Sequence, residues 1–194
     1  MAKFFDNNSA TQQLSQRQTL QAKYNGARTN LLLVIIFTLI NIVLLVINSG
    51  TYFLFSSFIP WMMVDDGMYS CGLYPAEVYE SGMAFLDTSY MVFCGIVAGM
   101  ILVLYLLSWI LSKKPRVGWM IFALVVFVID TAALLLMVVN IADWIIDIAF
   151  HGWVIFSLIN GIISYFKLKK LPEEEPETLP FPEMAAETAA EENL

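Results

Sequence analysis

Four long apolar segments constrain the fold more than any other feature of the sequence. They cover residues 31–47, 89–111, 117–139 and 142–166. As helices they would each extend about 25–37 Å, which matches a bilayer hydrocarbon core of about 30 Å. Their apolar residues are continuous rather than alternating, which favours helices over membrane strands. The sequence therefore predicts an all-α polytopic membrane protein with four transmembrane helices in a bundle.

The composition agrees with this class and excludes several others. Of the 194 residues, 59% are hydrophobic and 14% are charged, whereas about a quarter are charged in an ordinary soluble domain. The apolar composition predicts the lipid bilayer as a partner. The net charge is −7, so we expect no nucleic acid as a partner. Cys71 and Cys94 are the only cysteines, too few for a disulfide framework. Whether these two pair with each other is left open.

The basic residues predict the orientation. All ten Lys and Arg residues precede the first apolar segment, separate the second from the third, or follow the fourth. Four spans put all of them on one side. The positive-inside rule then predicts a multi-pass protein of the cell (plasma) membrane with both termini in the cytoplasm.

The sequence divides into three parts. Residues 1–29 are predicted to form a polar cytoplasmic helix, with an interruption at Gly26, and residues 30–170 form the transmembrane domain. Residues 171–194 contain eight glutamates and no basic residue, which predicts an acidic, disordered cytoplasmic tail.

The external segment 48–88 is more than a loop. Residues 52–64 are mainly apolar but too few to span a bilayer, and Pro60 interrupts them. They are typical of an interfacial or a re-entrant helix, and both alternatives stay open. Residues 65–67, Asp-Asp-Gly, are predicted to end this helix in a turn, and Asp87 is predicted to cap the next helix.

Four ionisable residues fall inside the last two apolar segments. Asp143, Asp147 and His151 are spaced i, i+4, i+8, so they share an arc of about 80° on one helix face. Asp130 lies on the preceding segment. Because the connection near residue 140 is very short, an antiparallel hairpin places Asp130 level with His151.

This cluster has two interpretations. A buried Asp130–His151 pair could hold the last two helices together. Alternatively, Asp130, Asp143, Asp147 and His151 could bind a proton, a cation or a divalent metal such as Mn²⁺, Fe²⁺ or Zn²⁺. Asp143 also has a local explanation, since Asn140 as N-cap would put it in the first turn, where a carboxylate favours the helix dipole.

Catalytic motifs are missing from the sequence. Phe127-Val128-Ile129 precedes Asp130, unlike the Gly-x-Gly-Asp of intramembrane aspartyl proteases, and there is no His-Glu-x-x-His. We expect no catalytic residues. The sequence favours a non-enzymatic structural, assembly or partner-binding protein, either a homo-oligomer or bound to another membrane protein. Cation, proton or metal binding or transport is the alternative.

The motif Gly95-x-x-x-Gly99 presents small residues on one face of the second apolar segment. Such a face lets helices approach closely, either within one chain or between two chains. We expect packing within the chain.

Overall fold

The computed structural model of the chain describes residues 2–53, 55–113 and 116–172, with the backbone alone for 2–15, 141 and 143. Within these ranges the protein has no strand. It has a 3₁₀ turn at Ala76–Val78 and five helices: α1 (Ala2–Val46), α2 (Phe58–Ser70), α3 (Thr88–Leu111), α4 (Val117–Met137) and α5 (Ile141–Lys170). The predicted all-α class is confirmed. The predicted acidic tail, from residue 173 onward, lies outside the described residues.

Four of the helices contain stretches long and apolar enough to cross a membrane. The stretches are Gln16–Val46, Thr88–Leu111, Val117–Met137 and Trp144–Lys170. Asp87 caps α3 as predicted, because its carboxylate accepts a hydrogen bond from Ser89 N at 2.9 Å. The chain is therefore an α-helical bundle of the multi-pass membrane type.

The two ends of the bundle differ in charge. At the basic end, α1 meets the α3–α4 connection: Tyr24 donates to the Ser112 carbonyl at 2.8 Å, and Arg28 donates to Ser112 Oγ at 3.1 Å. The C-terminal lysines of α5 lie at this end too. The opposite end, formed by residues 47–87 and 138–140, contains no Lys or Arg and is called the acidic end.

α1 is one continuous helix that packs along α5. The predicted interruption at Gly26 is wrong. Tyr24, Ala27 and Leu31 are spaced along a single stripe and are buried against α5. A Cβ added to Gly161 would lie 2.5 Å from the Ala27 Cβ. The two helices therefore approach closely at Gly161, and α1 continues from its polar part into its apolar part without a break.

α2 extends further than its sequence predicts. Pro60 occupies its first turn, where a missing N–H is tolerated. The helix continues to Ser70, so the turn predicted at residues 65–67 is wrong. The chain turns at Gly72, with φ +69°. Gly67 serves close packing instead, because an added Cβ would lie 2.8 Å from Met91 Sδ on α3.

Neither a disulfide bond nor the Gly95-x-x-x-Gly99 motif joins α3 to another described part of the chain. Cys94 is buried and Cys71 is partly buried, and both are free thiols. Cβ atoms added to Gly95 and Gly99 would meet nothing within 4 Å. The expectation that these glycines pack within the chain is therefore wrong, because α3 buries the adjacent face, which carries Ala98.

Candidate functional site

The Asp130 carboxylate is the centre of a buried polar cluster. It is 1% exposed and lies two turns before the end of α4, about 10 Å inside the bundle. It accepts hydrogen bonds from Ser57 Oγ at 2.7 Å, Phe58 N at 2.9 Å and Ile59 N at 2.7 Å. Asp130 therefore caps the N-terminus of α2 from a different helix.

This arrangement satisfies every backbone donor at the start of α2. The N–H groups of Phe58 and Ile59 bind Asp130, and Ser57 N donates to Thr38 Oγ1 at 2.8 Å. Pro60 has no N–H to satisfy. Helix N-termini leave their first N–H groups unpaired and carry a partial positive charge. A buried carboxylate meets both requirements, so the N-terminus of α2 can lie inside the bundle.

α1 holds the chain that leads into α2. Asn41 donates from Nδ2 to the Phe53 carbonyl at 2.6 Å and accepts from Phe53 N at 2.8 Å. Thr38 and Asn41 are both buried. Phe55 adopts φ 70°, which is rare for a bulky residue, and its ring packs on Phe150. Sequence reasoning gave Thr38 and Asn41 no role. Their signal is two polar residues one turn apart in an otherwise apolar helix.

His151 completes the cluster from α5. Its Nε2 lies 3.2 Å from Asp130 Oδ2, and its Nδ1 lies 2.9 Å from the Asp147 carbonyl oxygen. The ring stacks on Phe127 with centroids 5.0 Å apart. A carbonyl can only accept, so Nδ1 carries a proton. Nε2 therefore faces the Asp130 carboxylate from the other side of the ring, and Asp130 and His151 form a buried pair.

The other two predicted site residues stand apart from this pair. Asp147 is 8% exposed, its side chain is absent from the groups bound to Asp130, and His151 is its electrostatic neighbour. The side chain of Asp143 is outside the description. Among the described residues, no group of three or more His, Cys, Asp and Glu side chains could hold a metal. The four-residue metal site stays a prediction.

Tyr105 on α3 also belongs to this region, and sequence reasoning missed it. It is 1% exposed, and its hydroxyl has no hydrogen-bond partner in the part of the chain that the structure describes. Its electrostatic neighbours are Asp130 and Ser57. An isolated tyrosine in an apolar run offers no sequence signal for such a position.

The fold and the cluster define a multi-pass helical membrane protein in which a buried carboxylate caps the N-terminus of a further, shorter helix. No family model, curated protein or solved structure matches the chain. The functional argument therefore depends on the geometry alone.

Proposed function

We propose that the protein is a non-enzymatic assembly or partner-binding protein that presents its acidic end to another membrane protein or to a second copy. The supporting observation is the use of Asp130. Two backbone N–H groups, one hydroxyl and one imidazole account for the four acceptor positions of its carboxylate. No acceptor position is left for a substrate or a metal, so the residue acts in architecture.

The capped helix α2 and the segment between it and α3 form one surface, here called the platform and defined as residues 58–87. Tyr74 donates to Asp65 at 2.5 Å, and Tyr90 on α3 donates to Asp66 at 2.5 Å. Burial, together with the Asp65 hydrogen bond and charge, raises the pKa of Tyr74 above its ordinary value. The first bond joins the loop after α2 to α2, and the second joins α3 to α2, which together support a rigid surface.

The exposed residues of the platform suit a protein partner. Its exposed large apolar side chains are Tyr69, Leu73, Val78, Phe85 and Leu86. They lie between the ends of two membrane helices rather than within a span. Exposed apolar groups rimmed by polar residues are typical of interaction surfaces, and the rim here includes Glu77 and Glu80. By the positive-inside rule, we place this surface outside the cell and the basic end in the cytoplasm.

Site-specific photo-crosslinking in native membranes tests this proposal. A photoreactive residue at Val78 or Phe85 should give discrete protein adducts. The control position is Val125, an α4 residue that is 52% exposed and lies within a span, where only lipid adducts are expected. In the Asp130→Asn background the platform adducts should weaken. Lipid adducts alone at all three positions, or adducts unchanged by Asp130→Asn, would overturn the proposal.

A further inference from the structure

At the basic end of the bundle, the chain that leaves α5 is bound to the N-terminal part of α1. Arg17 Nη2 donates to the Leu171 carbonyl at 3.2 Å and also to the Pro172 carbonyl. Leu171 is already extended, with φ −75° and ψ 140°, and Pro172 cannot continue a helix. These contacts place the start of the acidic segment, residues 173–194, beside Arg17.

A groove between α1 and α5 includes the same arginine in its lining. The groove has a volume of about 430 Å³ and is lined by Arg17, Gln18, Gln21, Ala22 and Asn25 of α1 and Leu168 of α5. Gln21 Nε2 donates to Asn25 Oδ1 at 3.3 Å, and this bond does not use the donors of Asn25 Nδ2. The groove therefore offers a guanidinium charge and amide donors, which suit a carboxylate.

The residues that follow Pro172 match this groove in charge and in length. Residues 173–176 are Glu-Glu-Glu-Pro, and ionised carboxylates act only as hydrogen-bond acceptors. The proline at 176 favours an extended backbone at the residue before it. Four extended residues span about 13 Å, and the α1 lining from Arg17 to Asn25 covers about 12 Å of helix.

We propose that the three glutamates at residues 173–175 dock in this groove, so that the chain covers the groove with its own acidic segment. The exposed lysines of the last turn of α5 add positive charge where the chain leaves the helix; they are Lys167, Lys169 and Lys170. Attachment beside the groove gives the segment an effective concentration of about millimolar or more. A lipid phosphate therefore has to displace a tethered competitor. This inference is independent of partner binding by the platform, which lies at the opposite end of the bundle.

Photo-crosslinking of the full chain in lipid nanodiscs tests the contact, with a photoreactive residue in place of Ala22, an exposed residue of the groove. We expect adducts within one chain that peptide mass spectrometry maps to residues 173–177. Combining Glu173→Gln, Glu174→Gln and Glu175→Gln should lower the adduct yield about five- to tenfold. The matched control combines Glu183→Gln, Glu187→Gln and Glu191→Gln, which removes the same charge further along the chain and should change the yield less than about twofold.

Salt and the arginine provide two further readouts of the same adduct. Raising sodium chloride from about 0.1 M to about 1 M shortens the screening length from about 10 Å to about 3 Å, so the yield should fall several-fold. Arg17→Gln weakens the attachment of the chain at the groove and should also lower the yield. Equal effects of the two triple variants, or a yield that neither salt nor Arg17→Gln changes, would refute the docking. Adducts to lipid or to a second chain in place of residues 173–177 would refute it as well.

Discussion

Replacing Asp130 with asparagine tests the central structural claim, because it changes charge with little change in shape. The amide oxygen can still accept from Ser57 Oγ and Ile59 N. The amide nitrogen then faces Phe58 N–H, and two donors in contact leave that N–H unsatisfied. His151 Nε2 loses its carboxylate partner at the same time.

The expected loss of stability follows from these contacts. One buried backbone donor left unpaired costs about 1–3 kcal/mol, and each charge-assisted hydrogen bond that is weakened costs about 1 kcal/mol more. Removing one member of a buried pair costs about 3–5 kcal/mol in other proteins. We therefore expect Asp130→Asn to reduce the free energy of unfolding by about 3–5 kcal/mol.

Two measurements check this value and its location. Thermal unfolding in nanodiscs should show the loss of stability, and hydrogen exchange should show faster exchange of the Phe58 and Ile59 amides. Thr131→Val is the matched control, since the Thr131 hydroxyl donates to Phe127 O of its own helix, and it should cost less than about 1 kcal/mol. A small stability change, with exchange at the start of α2 unaltered, would show that Asp130 does not cap this helix.

The remaining predictions concern helix packing and the platform. Gly161→Ala should lower the free energy of unfolding by about 1–3 kcal/mol because its Cβ would meet Ala27. Gly95→Ala, which faces open space, should change it by no more than about 0.5 kcal/mol. Thermal unfolding compares the two variants, and equal effects would contradict the α1–α5 contact. Because the pKa of Tyr74 is raised in the folded state, the interactions of its protonated hydroxyl contribute fully to stability below the unfolded tyrosine pKa of about 10. This contribution is lost as pH rises through the higher folded pKa. Stability should therefore fall above about pH 10, and Tyr74→Phe should flatten that decline in an alkaline unfolding titration. An unchanged decline in Tyr74→Phe would show that Asp65 is not the partner of Tyr74.

The sequence was sufficient where the evidence was local or periodic. Continuous apolar runs predicted the helical class, and a short connection near residue 140 predicted that Asp130 and His151 lie at one level. The structure brings these two side chains within 3.2 Å. Asp87 was recognisable as a cap because its partner is two residues away.

The cap of α2 was not predictable in the same way. Asp130 and Ser57 are 73 residues apart, and no motif indicates that a carboxylate of one helix serves the N-terminus of another. The turn expected at residues 65–67 failed for a related reason. Asp-Asp-Gly has turn-forming composition, but close approach of α3 requires Gly67 within a helix. Tertiary packing decided both outcomes.

Asp130 and Asp147 show why residue type and spacing do not determine a role. Both are aspartates on neighbouring helices, both are buried, and both lie near His151. The start of α2 supplies donors to Asp130, so that acid becomes part of the scaffold. Asp147 instead contributes its backbone carbonyl to His151. The same histidine therefore contacts the carboxylate of one acid and the backbone of the other, and the position of one short helix decides which acid acts as a cap.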